Sequence, residues 1–149
     1  MHGDTICTVP TVGLQYVSFQ RRNLRWGVWD MSGLGKYREL WNDYAGRVQA
    51  IVFCVDITDM ARIAIARDEL RSVLANAERR RDQVPLLILA NKSDLEGADE
   101  KQTMSLVDLR VALGLESIEA RHPLHMSSTS AMTGAGIEEA LMWLTAQCR

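Results

Sequence analysis

Apolar residues fall in short runs and stripes along this chain, and the two patterns take turns. Leu14 to Phe19 alternates apolar and polar positions, which predicts a strand. Gln20 to Asn23 is a polar turn, and Leu24 to Asp30 reads as the hairpin partner. Tyr37 to Tyr44 predicts a short helix. Ala50 to Val55 is a continuous apolar run, too short for a helix and of the kind found in a buried parallel strand. Asp59 is placed to cap a helix running to about Arg80, with Ile63, Ala66, Leu70, Val73 and Leu74 on one face. Val84 to Ala90 is a second buried-strand run. Ser105 with Asp108 resembles a capping box, and Gly114 would stop that helix. His125 to Ser128 is a short strand candidate. Ile137, Ala140, Leu141 and Leu144 put a helical stripe on the last segment.

Strands alternating with helices predict an α/β fold, a mostly parallel sheet with helices on both faces. Such sheets bind ligands at the carboxyl ends of their strands. Asp30, Asp56 and Asn91 to Asp94 all stand where an apolar run ends.

A chain of 149 residues suits one domain, with no internal repeat or linker. The formal net charge of −2 argues against a nucleic-acid binder that works by neutralising phosphates. Arg79-Arg80-Arg81 reads as a solvated helix end. Cys7, Cys54 and Cys148 match neither a disulfide framework nor a zinc spacing, which predicts a reducing compartment. Cys54, inside an apolar run, is expected to be a small core residue. No apolar stretch approaches the ~20 residues of a membrane span, and no signal-peptide pattern opens the chain, so the expected location is cytoplasmic. His2, His122 and His125 have no metal spacing and read as surface or structural.

Asn91-Lys92-Ser93-Asp94 directly follows a buried run. A carboxylate at its fourth position can accept two hydrogen bonds from the N1 and N2 edge of guanine, donors that adenine lacks. The Asn side chain can tie neighbouring loops, and the Lys stem can lie over the base. A polar turn after a strand would use the same residue types. Ser130-Ala131-Met132, before Gly134-Ala135-Gly136, can offer a backbone N–H to the base oxygen. Asp30 can hold a magnesium-bound water, and the Thr11 hydroxyl can ligate magnesium. Gly33 can bring its N–H close to a terminal phosphate. Taken singly, each also reads as an ordinary strand-end or loop residue.

Together these segments resemble the Arf and Arf-like branch of Ras-related small GTPases, from residue 7 to residue 149. Pro10-Thr11-Val12-Gly13 is similar to that family's first switch. Trp29-Asp30-Met31-Ser32-Gly33, with Lys36-Tyr37-Arg38-Glu39-Leu40-Trp41, is similar to its second. The Met-Ser-Gly wording and the Tyr-Arg pair look most like the Arf-like subtype linked to Bardet-Biedl syndrome, which recruits a ciliary membrane coat.

The resemblance implies a Ras-like fold binding GTP or GDP with Mg2+. It implies nucleotide contacts from Gly33, Asn91, Lys92, Asp94, Ser130 and Ala131, and metal contacts from Thr11 and Asp30. Trp29, Trp41 and Tyr44 would form an aromatic effector surface. Partners would be effector or coat proteins with exchange and activating factors, and the full-length relative would sit at the ciliary base or on membranes.

Two departures stand out. Leu34 occupies the position of the glutamine that orients the attacking water, so no catalytic residue is assigned. No G-x-x-x-x-G-K-[ST] phosphate loop occurs in the sequence. The expectation is an incomplete domain over 1–149, a truncated form lacking the family's first strand, phosphate loop, first helix and N-terminal membrane helix, with impaired binding and hydrolysis. The missing strand would leave its neighbours roughly 9.6 Å apart. The flanking strands would then either pair directly or stay split. The alternative is a nucleotide-deficient module that presents the hairpin and aromatic switch surface, or a non-functional fragment. An unrelated reading makes Asp56 and Lys92 a phospho-acceptor pair, a pattern that needs further acidic neighbours.

Overall fold

The computed structural model describes residues 10–21, 23–79, 83–97 and 102–148. Strands β1 (Leu14–Arg21) and β2 (Leu24–Met31) form an antiparallel hairpin in which Arg21 pairs with Leu24. That register draws Gln20 and Arg21 out of the expected turn and into β1. A short 3-10 turn, Gly35–Tyr37, leads into α1 (Glu39–Ala45). Then follow β3 (Ile51–Asp56), α2 (Ile63–Glu78), β4 (Leu86–Asn91), α3 (Leu106–Leu113), α4 (Leu115–Glu119), β5 (Leu124–Thr129) and α5 (Ile137–Gln147).

The strands β3, β4 and β5 make a parallel sheet in that order. β4 is paired on both sides, and its side chains alternate between two layers. Leu86, Ile88 and Ala90 face a core completed by Leu70, Leu74 and Ala77 of α2 and by Leu109, Leu113, Leu115 and Ile118. Leu87 faces the other way, onto Ala140 and Leu144 of α5. No helix among the described residues is long and apolar enough to cross a membrane.

The hairpin does not join this sheet among the described residues, so of the two expected outcomes the split arrangement is observed. β3 is consequently less enclosed than its apolar run suggests. Ile51 and Val55 are buried against the core, but Val52 is 43% exposed and Cys54 is exposed as well. The expectation that Cys54 is a core residue is therefore corrected: it stands on the face of β3 that α2 does not cover. Crowding by neighbouring atoms, and then the Asp30 charge, push its thiol pKa up.

Local signals are realised unevenly. Ser105 caps α3, its Oγ accepting the Asp108 N–H at 3.1 Å, and Gly114 ends that helix in the left-handed region. Asp59 makes no cap hydrogen bond. Its carboxylate is engaged by Arg62, so the chain forms a 3-10 turn first and α2 starts at Ile63. His122 is buried and joins three elements. The Val84 N–H donates to its Nδ1 at 3.2 Å, which leaves the ring proton on Nε2, facing Glu78 Oε1 at 2.8 Å.

Candidate functional site

Apart from Thr11, which precedes β1, the polar residues picked from the sequence lie at the carboxyl end of a strand or in the loop that follows. The β4 strand delivers Asn91, and the chain then turns sharply. Lys92 adopts the left-handed conformation (φ 74°), the one non-glycine residue among those described with positive φ. A 3-10 turn, Ser93–Leu95, presents Asp94.

Two hydrogen bonds tie this loop to the one after β5. The Ala131 N–H donates to Asn91 Oδ1 at 3.0 Å, and the Ser130 hydroxyl donates to Asp94 Oδ1 at 2.6 Å. Ser130 is buried, and its oxygen in turn accepts the Thr133 N–H at 3.1 Å. A hydroxyl has one proton to give, so this relay fixes one carboxylate oxygen of Asp94 and leaves Oδ2 without a donor among the described residues. The structure thus brings Asn91, Asp94, Ser130 and Ala131 together. Ser130 orients Asp94, and Ala131 is held by Asn91.

Lys92 is directed elsewhere. Its Nζ lies 2.6 Å from Asp56 Oδ2 at the end of the adjacent strand. The Thr58 N–H and hydroxyl both donate to Asp56 Oδ1, at 2.9 and 2.7 Å. Burial would push the Asp56 carboxyl up, but Lys92, the Thr58 bonds and the Lys92 charge outweigh it and hold the carboxyl below its ordinary value. A depressed carboxylate contributes stability that is complete above its unfolded value near pH 4 and is lost as pH falls through the lower folded one. Because the pair is partly exposed, less than about 1 kcal/mol is expected. Urea melts of the parent chain and Asp56→Asn should differ at pH 7 and converge as pH drops below about 4. A gap that persists at pH 2 would show that the carboxylate charge is not responsible. Asp56 and Thr58 were not singled out for nucleotide contact, though Asp56 shows the same strand-end placement as Asp30.

A second group forms where the hairpin ends. The Thr11 hydroxyl donates to Asp30 Oδ2 at 3.0 Å. A hydroxyl and a carboxylate are the hard oxygen donors that Mg2+ takes, so this pair fits that ion, Thr11 as a ligand and Asp30 through a bound water. No cluster of three His, Cys, Asp or Glu exists among the described residues. A magnesium ion here would complete its shell with water and phosphate oxygens, as it commonly does. The same scarcity leaves Asp56 and Lys92 without the acidic cluster that a phospho-acceptor pair needs among the described residues.

Gly33 follows in an exposed loop whose surroundings are open: a Cβ built there would meet nothing within 4 Å. Leu34 is 45% exposed and offers only an aliphatic side chain. Trp29 packs between Tyr16 and Tyr44, with ring centroids 4.5 and 4.9 Å away. Tyr16 and Trp29 are exposed on one face of the hairpin, beside the half-buried Tyr44 of α1, while Val17, Phe19 and Val28 are exposed on its other face. Trp41 faces inward instead. It meets Phe53 edge-on at 6.1 Å, and its indole N–H donates to the Ser32 carbonyl at 3.1 Å. Sequence reading had grouped Trp41 with Trp29 and Tyr44. Helical spacing says which residues share a face, not which way an indole N–H points.

A family model described as the ADP-ribosylation factor family covers residues 1–148. Among solved structures, the chain is similar to the Arl6/BBS3 small GTPase from Trypanosoma brucei, determined with the bound nucleotide analogue GppNp. The TM-score is 0.85 at 27% sequence identity, over 95% of this chain and 83% of that one.

Proposed function

We infer the function from one premise: the chain belongs to the ADP-ribosylation factor family, and its α/β fold is that of an Arf-like small GTPase. The proposal is a guanine-nucleotide switch in membrane or ciliary trafficking whose hold on the base is intact and whose hold on the phosphates is weak. The observation that carries it is the double tie between the base loops, Ser130 to Asp94 and Ala131 to Asn91. That tie pre-positions an ionised acceptor for guanine N1–H and N2–H before any ligand arrives, and pre-organisation lowers the cost of binding.

The phosphate side is thinner. Within this sequence no glycine-rich loop supplies a nest of N–H groups, and the Lys92 ammonium is committed to Asp56. What remains is the Gly33 N–H and the Thr11–Asp30 pair. Mg2+, when bound, would neutralise phosphate charge. Thr11 and Asp30 would hold it, and Gly33 would meet the terminal phosphate. Leu34 can neither orient nor deprotonate a water, so hydrolysis is expected to be slow. The Tyr16, Trp29 and Tyr44 surface would meet effector or coat proteins, with exchange and activating factors setting the nucleotide state. The Trypanosoma brucei Arl6/BBS3 small GTPase, determined with bound GppNp, supports the nucleotide-switch part of this proposal.

Titration with a fluorescent GTP analogue tests the reading. Saturable, magnesium-dependent binding in the micromolar range is expected. In the bound complex, Leu34→Gln should raise single-turnover hydrolysis by about tenfold or more. A second reading, favoured by the exposed aromatic hairpin, is a nucleotide-free interaction module. A cooperative melt with no nucleotide binding would replace the first reading with that one.

A further inference from the structure

Three consecutive peptide groups in the loop after β2 are held differently. The Ser32 N–H donates to the Gly13 carbonyl at 3.0 Å. The Leu34 N–H donates to Ser32 Oγ at 3.3 Å, and the Gly33 carbonyl on that same peptide accepts from Arg38 Nε at 3.1 Å. Between them lies the peptide joining Ser32 to Gly33. Its carbonyl accepts from the Trp41 indole at 3.1 Å, while its N–H, that of Gly33, has no acceptor among the described residues. The backbone here contains no cis bond, and a trans peptide is flat with C=O and N–H pointing opposite ways. Pinning the Ser32 carbonyl toward α1 therefore turns the Gly33 N–H away from α1. The space around Gly33 is open to receive an acceptor.

The pin itself is anchored. Trp41 packs on the core through Phe53, and the Arg38 guanidinium lies 5.9 Å from its ring centroid. Arg38 Nη1 is in turn 3.2 Å from Glu69 of α2. A single free amide, flanked by two bound ones and backed by a half-buried indole, is a donor with its direction fixed in advance. Donors aimed beforehand at an anion need no reorganisation when it arrives.

We propose that Trp41 is a positioning residue that aims the Gly33 N–H at the terminal phosphate of a bound nucleoside triphosphate, with Arg38 and Glu69 holding the peptide that follows. This role rests on the nucleotide reading above. It places Trp41 behind the phosphate contact rather than on the partner-facing surface, and it makes α2 part of the machinery that distinguishes triphosphate from diphosphate.

Trp41→Phe keeps a ring against Phe53 and removes only the indole donor. In competition titrations on the full chain, the ratio of affinities for a non-hydrolysable GTP analogue over GDP should fall about five- to tenfold, the worth of one directed hydrogen bond. Guanosine affinity should stay within about twofold. Trp143→Phe on α5 should leave both unchanged. An unaltered triphosphate-to-diphosphate ratio in Trp41→Phe would overturn the proposal. Amide exchange by NMR, without nucleotide, reads the lock directly. The Trp41 indole N–H should be protected and the Gly33 N–H fast, and Trp41→Phe should shift the Gly33 resonance. An indole proton exchanging at the rate of free tryptophan would refute the lock even if nucleotide binds. A protected indole in a chain that binds no guanine ligand would locate the failure in the nucleotide reading and overturn the phosphate role with it.

Discussion

Gly136→Ala should destabilise this protein more than Gly134→Ala, its neighbour in the same loop. Gly136 precedes α5 with φ 71°, and a Cβ built on it would lie 2.1 Å from the Ser128 carbonyl oxygen, a backbone atom of β5. No rotamer change relieves that overlap, so the β5–α5 connection must shift. Left-handed strain of about 1–2 kcal/mol adds to a repacking cost of about 1–3 kcal/mol. For a domain of this size the sum corresponds to a melting point lower by roughly 10 °C. Gly134 supplies the comparison. Its φ is 82°, yet an added Cβ meets nothing within 4 Å, so Gly134→Ala should cost only the strain. Thermal melts of the two variants separate the terms. Equal melting points would show that β5 yields freely and that the contact carries no weight. Because this connection also carries Ser130 and Ala131, Gly136→Ala should loosen the base site before global unfolding.

Asp94→Asn should weaken guanine nucleotide binding by about a hundredfold or more while leaving the fold intact. The carboxylate is exposed, so little packing is lost. Its charge is what makes two strong acceptor bonds to guanine possible, and a carboxamide would turn a donor toward the N1–H and N2–H edge. A site built to hydrogen-bond a ligand penalises mismatched groups heavily, because buried polar atoms are left unpaired. Ser130→Ala should show a smaller loss of the same kind, since it removes the hydroxyl that orients Asp94 and leaves the charge. Fluorescent GTP and ATP titrations would measure both. If Asp94→Asn binds GTP as the parent chain does, the base is not held where these loops meet.

Much of the architecture is written locally. The apolar runs of β3 and β4 and the stripe on α5 depend only on which side chains share a face. The Ser105 cap and the Gly114 stop act within one helical turn, and both are present. The convergence of Asp56, Asn91 and Asp94 follows from strand direction, since the parallel strands β3 and β4 end on the same side. Where two local signals compete, sequence reading chose wrongly. Asp59 is a good cap by type, but Arg62 one turn later claims its carboxylate.

The sequence by itself therefore determined the order of elements, the family pattern of motifs, the absence of a water-orienting side chain at Leu34 and the lack of a phosphate loop in these residues. Tertiary structure alone decided that Ser130 grips Asp94 from 36 residues away, that Lys92 turns to Asp56, that Trp41 holds a peptide while Trp29 faces outward, and that one face of β3 stays open. The division has a physical cause. Spacing along a chain fixes periodicity and turn chemistry, which are set by a few dihedral angles. The direction of a particular N–H or carboxylate across two packed layers is set by every contact that brings those layers together.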